Sequence, residues 1–239
     1  MRVPPQDDRA AAHPGLISGK DGELRGAPLF LIGGGPSLET LNLELMRASG
    51  APRLAVNMGF VKGAEAVVVG DSWVRTELVQ ENAMLLQRWR GFAGPKWLVR
   101  MEQEAVMAEH VPDMKLVPAI QKWGTSLASG VLGVNNTGLC ALNVADVLGA
   151  GKVYMLGFDM NAVPGQVTTN WHQFYPKDRL SDSVSIFQNM IAAFEKWAQA
   201  PRCAVVNCNP TSALQCFPYQ PFEEAVEEAR RSMLTFEPH

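Results

Sequence analysis

A set of strand-length apolar runs constrains this chain more than any other feature. They are Pro28 to Ile32 (PLFLI), Arg53 to Val56 (RLAV), Ala66 to Val69 (AVVV), Lys96 to Val99 (KWLV), Lys152 to Leu156 (KVYML) and Ala204 to Asn207. None alternates between apolar and polar residues, so each predicts a strand buried on both faces, and such strands belong to parallel sheets. Lys115 to Val117 is a shorter candidate. Helical stretches lie between them. Ser37 to Ala48 carries leucines at 38, 41, 43 and 45, with Ser37 at or near its cap. A second helix is expected at about 72–90. Gly138 to Leu148 is a third, ended by Gly149-Ala150-Gly151. Ser183 to Ala198 sets Val184, Phe187, Ile191, Phe194 and Trp197 on one face, and a short helix at about 221–234 closes the chain. Strands separated by helices predict an α/β fold of Rossmann-like type, a single domain whose mainly parallel sheet has helices on both faces.

The 239 residues fit one such domain over 27–239, preceded by a polar arm over 1–26 that is expected to be flexible. The first residues lack the apolar core of a secretion signal, and no apolar run has the length to span a bilayer. Cys140, Cys203, Cys208 and Cys216 match no zinc spacing and read as reduced thiols, which fits a cytoplasmic protein. The net charge of −3 gives no electrostatic reason to expect a nucleic-acid partner. Arg88, Arg90, Lys96 and Arg100 fall close together, and read as a solvated face rather than a basic patch with a partner.

Ligands of a doubly wound sheet bind beyond the carboxyl ends of its strands. Here those ends collect small and polar residues: Gly33-Gly34-Gly35-Pro36-Ser37 after the first strand, Asn57 after the second, and Asp71-Ser72 after the third. Asp159 follows the strand at 152–156, and Asn207-Cys208-Asn209 ends the last. Glycines let backbone approach a ligand, and a following helix offers free N–H groups to an anion; the same loop also serves as a plain tight turn. Leu38 stands where a dinucleotide fingerprint has its third glycine, and Asn57 where an acidic residue grips the NAD ribose, which disfavours a nicotinamide enzyme. The absence of Gly-Lys-Ser/Thr excludes a P-loop.

Asn135-Asn136-Thr137-Gly138 opens the strongest predicted helix. Asn136 or Thr137 is suited to cap it, while a neighbour and the Gly138 backbone face a phosphate or sugar hydroxyl. His172 lies in a polar loop among Trp171, Phe174 and Tyr175, where its near-neutral pKa suits a general base; a solvated surface histidine is the plainer reading. Asp71 and Asp159 are the candidates to share a magnesium ion, though two carboxylates so far apart in sequence point to it weakly, and no Asp-X-Asp element accompanies them. No other cofactor is implied.

The combination Leu31-Ile32-Gly33-Gly34-Gly35-Pro36-Ser37-Leu38, Val56-Asn57, Gly70-Asp71, Asn136-Thr137-Gly138 and Gly157-Phe158-Asp159 resembles one superfamily. It holds the bacterial sialyltransferases of glycosyltransferase family 42, the motility-accessory glycosylation proteins and the archaeal 6-hydroxymethylpterin pyrophosphokinase. In texture the chain is most similar to small tailed-phage proteins of this type. The likeness runs from about residue 28 to 220. It implies a nucleotide-sugar partner held by Gly33, Gly35, Pro36, Ser37, Asn57, Asn136, Thr137 and Gly138, with His172 as general base; the strand ends add Gly34, Asp71 and Ser72 to the nucleotide-binding candidates and Asp159 to the catalytic ones. The function it implies is glycosyl transfer, with a glycan or a modified DNA base as acceptor. A magnesium- and ATP-dependent pyrophosphokinase, with Asp71 and Asp159 near the metal, and a non-catalytic phage assembly protein are the alternatives.

Overall fold

The computed structural model describes residues 16–70, 82–100, 113–161, 170 and 183–237, and every structural statement below refers to these. Eight strands form one sheet: β1 (Pro28–Ile32), β2 (Arg53–Val56), β3 (Ala66–Val69), β4 (Lys96–Arg100), β5 (Lys115–Ile120), β6 (Val131–Leu132), β7 (Lys152–Leu156) and β8 (Ala204–Asn207). Their order is β6-β5-β4-β3-β2-β1-β7-β8, and every neighbouring pair is parallel. The chain therefore winds outward from β1 in one direction and returns to its other side with β7. The gap between the β1 and β7 connections is the topological switch point of the sheet.

Five α-helices cover it: α1 (Leu43–Ala48), α2 (Ala83–Gly91), α3 (Thr137–Val147), α4 (Ser183–Trp197) and α5 (Phe222–Leu234). Successive strand residues point to opposite faces, so each strand feeds two cores. Leu29, Leu31, Leu54, Val56, Val68, Val153 and Met155 pack with α3 and with Phe194 of α4. Phe30, Ile32, Tyr154, Leu156 and Val206 pack with Leu43 and Met46 of α1 and with Phe222, Ala225 and Ala229 of α5. Farther along that second face, Ala55, Val67, Val69 and Leu98 lie under Leu85 and Trp89 of α2. Burying each large aliphatic or aromatic side chain stabilises by about 1.5–3 kcal/mol, so the sheet is the main source of stability.

Helix α3 is buried from Gly138 through Val147, which explains its lack of a polar face. Its interior polar residues are satisfied. Asn143 accepts hydrogen bonds from the N–H groups of Gly124 and Leu132, each at 2.8 Å, and donates to the Gly124 carbonyl at 3.0 Å. Asp146 accepts from the Trp123 indole at 2.8 Å and from Arg202 at 3.1 Å.

Several expectations change. The stretch 16–26, read as the end of a flexible arm, is docked. Ile17 and Leu24 are buried, and the N–H groups of Gly22, Leu24 and Gly26 bond the carbonyls of Val147, Leu148 and Gly149. The C-terminal carbonyls of a buried helix need donors, and this segment supplies them; residues 1–15 lie outside the described residues. The single helix expected over 37–48 is a 3-10 turn, Pro36–Thr40, followed by α1. Leu41 is extended, and Asn42, not Ser37, caps α1 by accepting from the N–H of Glu44. Within the helix expected over 72–90, α2 begins at an Asn82 cap, and 71–81 are outside the described residues. Strand β6 and the 3-10 turn Asn57–Lys62 were not expected. Lys96 leaves the supposed solvated face: its side chain lies 3.7 Å from Asp113 and over the Trp89 ring. No described helix is long and apolar enough to cross a membrane.

Candidate functional site

The switch point brings the loops after β1 and β7 together. Parallel pairing continues past the strands: the N–H of Gly33 bonds the Leu156 carbonyl at 2.8 Å, and that of Gly35 bonds the Gly157 carbonyl at 2.7 Å. This close approach decides two of the three glycines. A Cβ on Gly33 would stand 2.6 Å from the Gly157 oxygen, and one on Gly35 would overlap the Asp159 carboxylate. Gly34 is different, because a Cβ there would meet only the end of the Asn170 side chain, at 2.9 Å. Gly157 has φ +70°, and the Leu38 side chain fills the place of its missing Cβ. Leu38, which breaks the dinucleotide fingerprint, is thus a packing partner of the β7 loop.

Asp159 is buried and holds Ser37. Its Oδ1 accepts from the Ser37 N–H at 3.1 Å and its Oδ2 from the Ser37 hydroxyl at 2.8 Å. The loop after β8 secures the Asp159 main chain. The Ser212 hydroxyl donates to the Phe158 carbonyl at 2.6 Å, and the Ala213 N–H to the Asp159 carbonyl at 2.8 Å.

The N-terminus of α3 reaches the same edge. Asn136 is buried and caps the helix, its Oδ1 accepting from the Leu139 N–H at 3.0 Å, while its amide donates to the Met190 carbonyl of α4 at 3.3 Å. Thr137 then stands against Gly70 at the end of β3, where its side chain occupies the space a Cβ would need. Asn57, in the left-handed region at φ +48°, accepts from the Gly70 N–H at 3.3 Å. Gly138 lies against the Phe158 ring, and the same ring touches Gly33. Phe158 therefore ties the glycine loop to the start of α3, and it in turn packs edge-on to Phe194.

Of the sequence-derived candidates, Gly33 to Ser37, Asp159 and Gly138 meet through these contacts, and Asn57 and Thr137 meet at Gly70. Pro36 opens the 3-10 turn. Asp71, Ser72 and His172 lie outside the described residues. Two residues quoted from the sequence were given no site role. Phe158 gave no polar signal. Asn209 is buried at the end of β8, with an Oδ1 that accepts from the N–H and hydroxyl of Thr211 and an Nδ2 that has no hydrogen-bond partner. An unpaired buried donor costs about 1–3 kcal/mol, so such groups attract attention at ligand sites.

The thiols offer no nucleophile here. Burial pushes Cys208 up to about 12, against the opposing charge of Lys152, and burial, then Asp146, pushes Cys203 to about 12. Of the pair suggested for magnesium, only Asp159 is among the described residues. They contain no group of three metal-capable His, Cys, Asp or Glu side chains, and both Asp159 oxygens are engaged by Ser37. Two surface cavities lie elsewhere. One is at the end of α3, lined by Asp21, Thr125, Asp146 and Arg202, and the other runs along the glutamates of α5. Neither gathers strand ends.

No family model matches the sequence. No curated protein matches it. Among solved structures, the chain is similar to the sialyltransferase CstII from Campylobacter jejuni in complex with the substrate analogue CMP-3FNeuAc, at 14% identity and a TM-score of 0.47, over 81% of this chain and 85% of that one.

Proposed function

We propose that the carboxyl edge at the β1/β7 switch binds a nucleotide-activated sugar, and that the chain transfers the sugar to an acceptor hydroxyl. One observation carries this reading: the ends of β1, β2, β3 and β7 meet the N-terminus of α3 at a single place. The substrate class comes from the superfamily resemblance of the same residues. Helix α3 is 11 residues long, and its Asn136 cap takes the Leu139 N–H. The Thr137 and Gly138 N–H groups and the Thr137 hydroxyl remain to meet a phosphate, which the helix dipole favours. Gly34, unlike its neighbours, is not closed in by backbone, and only the end of the Asn170 side chain stands where a ribose or base would approach.

In the transfer, the acceptor oxygen bonds the anomeric carbon as the bond from that carbon to the phosphate oxygen breaks. The nucleotide leaves with its phosphate, and His172 takes the acceptor proton. Positioning and charge stabilisation supply most of the rate, with the base adding about 10²–10⁴-fold. The net charge of −3 favours a glycan acceptor over DNA.

The test is thermal shift and calorimetry of the purified chain with CMP, UMP, GMP, ATP and their sugar conjugates, with and without magnesium. A ligand at about 100 times its Kd stabilises by about 2.7 kcal/mol, which moves Tm by roughly 2–4 °C per kcal/mol in a domain this size. Stabilisation by one nucleotide sugar without magnesium, weakened by Thr137→Val or Asn57→Ala, supports the reading. A shift only with ATP and magnesium, or none at all, overturns it.

A further inference from the structure

A nucleotide-sugar site leaves the buried Asp159 carboxylate without an obvious partner in the chemistry, and its geometry gives it a different task. The 3-10 turn Pro36–Thr40 begins at Gly35, which supplies no side-chain cap. The cap comes instead from Asp159, 122 residues away in sequence, through Ser37 N–H to Oδ1 at 3.1 Å and Ser37 hydroxyl to Oδ2 at 2.8 Å. The bare Cα of Gly35 makes room for this carboxylate. Asp159 is 8% exposed, so water has little access to replace it. Its main chain is fixed from the opposite side by Ser212 and Ala213.

We propose that Asp159 is a positioning residue: it clasps Ser37 and thereby sets the Gly33–Ser37 loop for the nucleotide, with no part in proton transfer. The clasp links the loops after β1, β7 and β8 into one unit. It also takes up both the N–H and the hydroxyl of Ser37, so neither is left for a phosphate, and that group falls to the start of α3. This inference rests on the nucleotide-sugar reading for its effect on affinity, but the clasp itself is measurable without any ligand.

The experiment compares wild type, Asp159→Ala, Asp159→Asn, Ser37→Ala and the Asp159→Ala/Ser37→Ala double variant of the full chain. The first readout is amide hydrogen exchange. Asp159→Ala is expected to speed exchange across 33–40 by about tenfold or more, the size of one lost charge-assisted hydrogen bond, while α3 keeps its protection. Asparagine, which still accepts from the Ser37 N–H, recovers most of that protection. Unchanged exchange over 33–40, or an equal rise across the whole molecule, overturns the clasp. The second readout is CMP affinity by calorimetry. Asp159→Ala and Ser37→Ala each weaken it about tenfold, the double variant is no worse than either, and Asp159→Asn recovers most of the loss. Additive losses, or an asparagine variant as impaired as alanine, overturn the positioning role. If wild type binds none of the nucleotides, the proposed function fails while the exchange data still decide the clasp.

Discussion

The ring of Phe158 stands between Gly33 and Gly138: a Cβ on the first would come within 3.0 Å of its edge, and one on the second within 2.7 Å. One buried side chain thereby sets the distance between the glycine loop and the start of α3. The ring is 2% exposed and braced by Phe194, whose centroid is 6.1 Å away. A site assembled this way depends on glycines for closeness between protein parts, and only secondarily for closeness to a ligand.

That distinction separates the three loop glycines by experiment. Gly33→Ala and Gly35→Ala drive a methyl into the Gly157 carbonyl and the Asp159 carboxylate, and are expected to destabilise by about 2 kcal/mol or more. Gly34→Ala meets only the end of the Asn170 side chain and should stay within about 1 kcal/mol of wild type. Its effect belongs to the ligand, with nucleotide affinity falling about tenfold, as crowding of a close contact would produce. Urea denaturation and calorimetry on the three variants check both halves. A Gly34→Ala protein as unstable as the other two refutes the distinction.

Asn143 should prove a stability residue with no bearing on ligand binding. It is fully buried in α3, and its amide makes three hydrogen bonds to the backbone of Gly124 and Leu132. Strand β6 is two residues long and stands at the sheet edge, so this side chain provides pairing that a neighbouring strand would otherwise give. Asn143→Leu keeps the branched outline of the side chain but leaves buried backbone groups unpaired, and is expected to lower stability by about 3 kcal/mol. Denaturant midpoints measure this directly. A loss under about 1 kcal/mol would mean that water or backbone movement replaces the amide.

The same residues show what the sequence could and could not reveal. β1, β2, β3, β7 and β8 were legible to the residue, because burial on both faces writes a continuous apolar run. β6 was not, since Val131 and Leu132 are too short a run and owe their place to Asn143 in the following helix. Ser37 looked like a local helix cap; its partner is Asp159, on the far side of the switch point, and no spacing rule links residues so distant. Glycines and polar strand ends drew attention to the carboxyl edge of the sheet, where the loops after β1 and β7 meet. Phe158, quoted only within Gly157-Phe158-Asp159, was given no role, because an aromatic after a strand reads as core, which it also is.

Stability should fall at both ends of the pH scale through one cluster on β7 and α5. Lys152 Nζ lies 2.8 and 2.9 Å from the two Glu228 oxygens, 2.9 Å from Gln220 Oε1, and 5.1 Å from the Tyr154 ring centroid. Partial burial works against ionisation of Glu228, but hydrogen bonds from Lys152 and Gln220 and the lysine charge outweigh it and hold the carboxyl below its usual range. A depressed carboxyl stabilises the fold above its unfolded value of about 4.3, and that contribution disappears as pH falls through the folded value. Tyr154 is raised above the usual phenol range, by burial first and then by Glu228. Its contribution is intact below about pH 10 and is lost as pH rises through the raised value. Glu228 is partly exposed, so its share is screened and amounts to about 1 kcal/mol or less. Glu228→Gln should therefore lower Tm slightly at pH 6, with the difference from wild type closing by pH 3. Tyr154→Phe should flatten the alkaline limb. Melts from pH 3 to 11 decide it, and a Glu228→Gln deficit that persists at pH 3 would assign the loss to packing instead.

The thiols of the folded chain should resist modification, and for an electrostatic as well as a steric reason. Burial pushes Cys203 and Cys208 up to about 12 and Cys216 up to about 11. Asp146 adds to the rise at Cys203, and Lys152 opposes it at Cys208 without overcoming it. The thiolate is the reactive form, so a thiol near 12 is ionised at pH 8 to about one part in ten thousand, against roughly a quarter for a free cysteine. Titration with a chromogenic disulfide at pH 8 should give slow release from native protein, and four equivalents at once in guanidinium. Cys216 is partly buried like Cys203 but raised less, and should be the first of these three to react. Cys208 sits at the end of β8 beside Asn209, so its labelling rate reports on opening of that edge. A nucleotide that binds at the switch point should slow Cys208 labelling while leaving Cys216 unaffected. Equal protection of both would signal general tightening of the fold, and a rapid Cys208 reaction in native protein would contradict the burial on which its low reactivity rests.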